Sequence, residues 1–156
     1  MAGSKEKVFS FKEPKDIADK LKDLDLDKAT DVVVIAHGRR NGGVVYNLKF
    51  DKFTVKHWQM IAAELPHYSR INIVSCSTAA GAGGKTALKL WSKKTRTYFT
   101  AYDVVLKKRW RHPGFEMKSS KGHLCIAYPS APEGEIVFKR LPNKEYKYFY
   151  DIVKKK

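Results

Sequence analysis

One histidine and one cysteine stand where they could act together. His37 follows Val32-Val33-Val34-Ile35-Ala36, and Cys76 follows Ile71-Asn72-Ile73-Val74-Ser75. Apolar runs without alternation are the mark of strands buried on both faces, as in a parallel sheet. In open α/β sheets, reactive groups gather just beyond the carboxyl ends of neighbouring strands. His37 and Cys76 are 39 positions apart, and the stretch between them holds a loop, a small hairpin and a helix, a sensible crossover between parallel neighbours. A thiol is a weak nucleophile until deprotonated, and an imidazole beside it accepts the proton and returns it to a leaving group. Gly38 leaves its backbone N–H unobstructed, so with the N–H of Cys76 it could hold the oxyanion of a tetrahedral intermediate. A cysteine alone at a strand end is more often a small buried hydrophobe. Its pairing with His37-Gly38 favours acyl-transfer chemistry.

The elements that must position this pair can be read from the flanking pattern. Val8 to Phe11 suggests a short first strand. Pro14 suits the first turn of a helix in which Ile17, Leu21 and Leu24 recur at helical spacing. Arg39 to Gly43 reads as a polar loop, and Val44-Val45-Tyr46 with Leu48-Lys49-Phe50 as a small hairpin around Asn47. Thr54 can cap a helix that turns Trp58, Ile61, Ala62 and Leu65 inward and ends at Pro66. A third helix is expected from Lys85 to about Lys94, with Ala87, Leu88 and Trp91 on one face, and a third strand from Tyr98 to Leu106. Beyond a basic loop, Met117 to Ala127 suggests a hairpin, Glu135 to Arg140 a strand, and Asn143 the cap of a last helix. Alternating strands and helices in the middle predict an α/β sheet, parallel at its centre. The 156 residues are one domain's worth, with a core over about 31–106 and a basic extension over about 107–156.

Charge is the strongest compositional signal. The chain carries +15, and it is unevenly spread: residues 1–70 hold 13 Lys/Arg against 10 Asp/Glu, residues 71–156 hold 18 against 6. Such a field attracts polyanions, among them nucleic acid, phosphorylated small molecules and acidic lipid surfaces. Candidate anion-binding residues are Arg39, Lys85, Lys107, Lys108, Arg109 and Arg111, with Trp110 and His112 interleaved in the basic loop. The two cysteines form no disulfide framework and the five histidines are not spaced as ligand pairs, so no metal is expected and a thiol-reducing compartment is favoured. No apolar run approaches membrane-spanning length.

Val34-Ile35-Ala36-His37-Gly38-Arg39 and Ile71-Asn72-Ile73-Val74-Ser75-Cys76-Ser77 together resemble the His-Gly and Cys motifs of caspase-like (clan CD) cysteine peptidases. The likeness is greatest to the self-cleaving cysteine peptidase domains of large bacterial toxins, and it covers roughly residues 31–106. It implies a caspase-like three-layer sandwich: a largely parallel central sheet, here followed by a C-terminal β-hairpin and helix. It also implies a His37/Cys76 dyad that cleaves a protein substrate or its own flanking polypeptide, in a toxin that acts in a target-cell cytosol. No cofactor is required for that chemistry. Inositol hexakisphosphate is the activator the resemblance implies, and Lys107, Lys108, Arg109, Arg111, Lys118 and Lys121 offer a counterpart to its basic pocket. Asp103, at the third strand, is the candidate for a substrate-pocket residue.

Two other readings stay open. Ala79-x-x-x-x-Gly84-Lys85-Thr86 fits a permissive phosphate-loop pattern, though Ala79 replaces the usual leading glycine and Asp103 is the sole acidic candidate for holding a metal. The basic second half equally suits a nucleic-acid-binding or nuclease-type toxin domain, and the caspase-like sheet could serve a pseudoenzyme that binds a partner. His57, His67, His112 and His123 read as surface residues, and Cys125, between Leu124 and Ile126, as a core thiol.

Overall fold

Pro14 opens the first helix, where its missing N–H leaves no bond unmade. In the computed structural model this helix, α1, runs Pro14–Leu24 and buries Ile17, Ala18 and Leu21. The structure describes residues 9–108, 115–117, 122–129 and 138–141. After α1 come β1 (Asp31–Ile35), β2 (His37–Arg39), β3 (Gly43–Val45), α2 (Val55–Ala62), β4 (Arg70–Val74) and α3 (Gly81–Thr95). They are followed by β5 (Tyr98–Tyr102), β6 (Leu106–Lys108), β7 (Phe115–Met117), β8 (Leu124–Ala127) and β9 (Phe138–Leu141).

The fold is mixed α/β. Five strands form one sheet in the order β1-β4-β5-β8-β9. β1 pairs with β4 and β4 with β5 in parallel, whereas β8 and β9 join antiparallel. Register is fixed at the start of the parallel pair, where Asp31 lies opposite Arg70 and their side chains approach to 3.5 Å. Two strand–helix–strand crossovers, through α2 and α3, therefore bring the carboxyl ends of β1, β4 and β5 to one edge. The antiparallel β8 begins at that same edge, Leu124 facing Tyr102.

Thr54 caps α2 as expected: its hydroxyl accepts the His57 N–H at 3.3 Å, while the His57 Nδ1 accepts the Thr54 N–H at 3.0 Å. Helix α2 sends Trp58 and Ile61 fully into the core, where Trp58 stacks on Phe53 at 4.4 Å between ring centres. Residues of all three helices share one cluster with Val34, Ile71, Ile73, Phe99 and Ala101 of the sheet. Burying each such large side chain contributes about 1.5–3 kcal/mol. The other face of the sheet holds Val74, Tyr102 and Leu124, packed with Leu106. Two polar side chains are buried on that face and satisfied there: Thr100 donates to Asn72 Oδ1 at 3.0 Å, and Asn72 Nδ2 donates to the Val32 carbonyl at 3.2 Å.

Several local expectations are corrected. Residues 9–11 form no strand; Phe11 instead sets its ring against Phe53. The chain does double back around Asn47, but Val45 bridges Lys52 rather than a residue of Leu48–Phe50. The other edge of Val44-Val45 pairs with β2, so His37-Gly38-Arg39 is a strand, not the start of a loop. The third strand stops at Tyr102, because the chain then turns and the Val104 carbonyl accepts the Ser77 N–H. Met117 to Ala127 is not a hairpin: β7 pairs with β6, and β8 with β5 and β9. Helix α3 begins four residues early, at Gly81. The last helix expected from Asn143, and with it any third layer it would supply, lies outside the described residues. Among the described residues no helix is long and apolar enough to cross a membrane.

Candidate active site

The strand ends meet at Gly38 and Cys76. A Cβ built on Gly38 would lie 2.2 Å from the Cys76 carbonyl oxygen, 2.6 Å from its nitrogen and 2.8 Å from the Ser75 Cβ. No side chain fits there. β1 reaches this point because the Ala36 N–H donates to the Val74 carbonyl at 3.2 Å, extending the pairing one residue beyond the strand. β2 then passes close to the turn after β4, with His37 before Gly38 and Arg39 after it in the chain.

The turn carrying Cys76 is held from several directions. Ser75 and Thr78 bond through their hydroxyls, and Thr78 donates to the Gly43 carbonyl at 3.0 Å. The Gly42 N–H returns to the Thr78 carbonyl at 2.9 Å, tying the β2–β3 hairpin to the same turn. Ser77 takes a left-handed φ of 57° and donates its N–H to Val104. Cys76 is half-buried beside Val74, Tyr102 and Leu106. Its Sγ accepts the Leu106 N–H at 3.4 Å and lies 3.7 Å from the Leu106 carbonyl. Among the described residues, the Cys76 N–H donates to no acceptor and the exposed His37 imidazole makes no hydrogen bond. An unclaimed N–H beside a thiol is what a developing oxyanion needs.

Asp103 follows β5 at the same edge. Its carboxylate accepts the His123 N–H at 2.7 Å, and the His123 Nδ1 lies 3.4 Å from the other oxygen. The Asp103 side chain is only 8% exposed. His123, expected at the surface, is thus drawn into a pair at the edge that carries Cys76. The signal was its place just before Leu124, but only the antiparallel register of β8 on β5 makes the two meet. The part taken by Leu106 left no trace in the sequence, because the groups used are backbone.

Of the candidate anion-binding residues, Arg39 is exposed and sets its guanidinium 4.5 Å over the Phe50 ring. Lys85 donates to the Ala79 carbonyl at 3.2 Å. Lys107 and Lys108 lie on β6, directly after Leu106, whereas Arg109 and Arg111, like Trp110 and His112, lie outside the described residues. The phosphate-loop reading of residues 79–86 is corrected. Gly83, Gly84, Lys85 and Thr86 sit inside α3 rather than in a loop, and a Cβ on Gly84 would lie 2.5 Å from the Ala79 carbonyl carbon. The small residues serve close packing. Asn41 fills the space above them, 2.6 Å from a Cβ built on Gly81. Among the described residues no group of three or more His, Cys, Asp or Glu side chains could hold a metal ion.

Compared with known proteins, the chain matches no family model, no curated protein and no solved structure.

Proposed function

We propose that this protein is a cysteine-dependent acyl-transfer enzyme, a peptidase of caspase-like type that cleaves a protein substrate or its own flanking chain. The observation that carries the reading is the contact of Gly38 with the Cys76 backbone, which seats a His-Gly strand on a Cys-bearing turn. In the reaction, His37 takes the thiol proton as the Cys76 sulfur bonds to the scissile carbonyl carbon. The carbonyl oxygen becomes an oxyanion facing the N–H groups of Gly38 and Cys76. Collapse breaks the C–N bond, His37 gives its proton to the departing amine, and a thioester remains on Cys76. Water, deprotonated by His37, then attacks the thioester carbon; the C–S bond breaks, the acid is freed and His37 returns the proton to the Cys76 sulfur. Asp103 is the group proposed to shape the substrate pocket.

A polyanionic activator such as inositol hexakisphosphate fits the same reading. The basic segment begins at Lys107, the residue after the one whose N–H addresses the thiol. A ligand gathering that segment would act on β6 and so on Cys76. The nucleic-acid reading is supported by the charge of residues 71–156 alone.

The deciding experiment is cleavage, of an unstructured protein or of the chain itself, by the wild type and by Cys76→Ala and His37→Ala variants with unchanged circular dichroism. Both variants should lose activity by a factor on the order of a thousand or more. Full activity in either removes the dyad. A gel shift with RNA that weakens steeply with salt, in a protein without cleavage activity, would favour the nucleic-acid reading.

A further inference from the structure

Between β3 and α2 the chain makes a turn whose construction is out of proportion to what it buries. Asn47 closes it: its Oδ1 accepts the Lys49 N–H at 2.9 Å and the Asp51 N–H at 3.1 Å, and its Nδ2 donates to Asp51 Oδ2 at 2.7 Å. The Phe50 N–H bonds the Asn47 carbonyl and the Tyr46 N–H the Asp51 carbonyl, each at 3.0 Å. Phe50 is held at a φ of 63°, unfavourable for a bulky side chain. What this framework delivers is exposure. Leu48 is 95% exposed and Phe50 60%.

In sequence the two side chains are flanked by cations, and one of these, Arg39, touches Phe50. Residues 37–56 contain five basic residues and one acidic, and that one, Asp51, is bonded to Asn47. Arg39 stands over Phe50, and Lys49 and Lys52 flank it in sequence. An apolar tip within a basic surround has two natural counterparts, an acidic polypeptide and an anionic bilayer. A polypeptide partner would have to offer a pocket for a side chain that touches almost nothing of its own protein. A bilayer accepts a convex apolar tip without any pocket, its acyl region taking the apolar groups while headgroup phosphates meet the cations.

We propose that the Asn47–Asp51 turn docks this protein on anionic membrane surfaces. Leu48 and Phe50 enter the acyl boundary, and Arg39, Lys49 and Lys52 lie at the level of the phosphates. The net charge of +15 steers the approach. The inference does not depend on the peptidase reading, since neither His37 nor Cys76 takes part in it.

The test is co-sedimentation of the full chain with vesicles of phosphatidylcholine, with and without about 30% phosphatidylserine. Wild type should bind the anionic vesicles and not the neutral ones. The double variant Leu48→Ser, Phe50→Asn keeps the net charge and gives position 50 a residue suited to positive φ. It should bind about tenfold more weakly at unchanged melting temperature. Lys49→Gln should weaken binding about fivefold. Equal vesicle binding by the double variant would reduce the effect to general polycation attraction and overturn the proposal. So would absence of wild-type binding, or binding to poly-glutamate in solution that depends equally on the tip, which would point to an acidic polypeptide.

Discussion

Gly38 and Cys76 lie so close that the backbone of one occupies the space a side chain would need on the other. The strand pair thereby holds the turn of Cys76 at a fixed height above the sheet. Gly38→Ala must push β2 away from β4, because the atoms met are backbone and cannot rotate aside. The substitution should cost about 3 kcal/mol and lower the melting temperature by roughly 10 °C. Thermal denaturation followed by circular dichroism measures it. An unchanged midpoint would mean that the approach of the two strands is not obligatory.

The two cysteines should differ sharply towards an electrophile. Cys125 is fully buried in the sheet, whereas Cys76 is half-buried at its edge. Alkylation of Cys125 requires opening of the core, so iodoacetamide should modify Cys76 faster by on the order of a hundredfold. Mass mapping of the labelled peptides at short times gives the ratio. Inositol hexakisphosphate should raise the Cys76 rate further, and sulfate at equal ionic strength should not. Identical effects of the two anions would leave a nonspecific polyanion surface.

Thr100 offers a test of the buried polar pair beneath the sheet. Thr100→Val keeps the shape but leaves the Asn72 Oδ1 without its donor in a site of zero exposure. The loss should be about 1–3 kcal/mol. Thr100→Ser, which retains the hydroxyl, should recover much of that loss. Chemical denaturation of the three proteins decides it, and a valine variant as stable as the wild type would show that the bond contributes nothing net.

Acid should loosen the start of α1. The Asp16 carboxylate accepts the N–H groups of Lys12 and then Glu13, and these bonds hold its pKa below the usual 3.8. A depressed carboxylate stabilises the folded form above its unfolded value, and that contribution fades as pH falls through the lowered one. The Lys12 and Glu13 amide resonances should therefore shift together below about pH 4. In Asp16→Asn they should show no such titration. A wild-type titration at or above 3.8 would contradict the assignment.

Continuous apolar runs located two strands: Val32–Ala36 and Ile71–Val74 fall on β1 and β4 almost residue for residue. Of the two, burial on both faces held for β4 alone, because β1 lies at the sheet's edge and leaves Ile35 53% exposed. The cap at Thr54 was equally local. The β2–β3 hairpin was hidden, because His37-Gly38-Arg39 has no strand pattern and pairs only by virtue of the Asn41-Gly42 turn. The pairing of β6 with β7 rather than of Met117 with Ala127 was hidden for another reason. Three-residue strands carry too little side-chain pattern to choose a partner. Glycines misled once, at Gly81 to Gly84, where crowding by Asn41 and Ala79 demanded small residues inside a helix. At the candidate site the positions of His37 and Cys76 were legible, but the grip of Leu106 on the sulfur and the Asp103–His123 pair were not. Both arise from strands brought together late in the chain.

The order of the main sheet, β1-β4-β5-β8-β9, is also the order in which its strands leave the ribosome. No strand has to be threaded between two that are already joined; each newcomer finds its neighbour waiting at the growing edge. Vectorial synthesis, which presents the N-terminal part first, suits this arrangement. The thiol of Cys76 emerges well before Leu106, whose N–H bonds it in the finished fold. During that interval the nascent sheet carries its sulfur at an open rim, and closure of the site coincides with arrival of the basic segment that begins at Lys107.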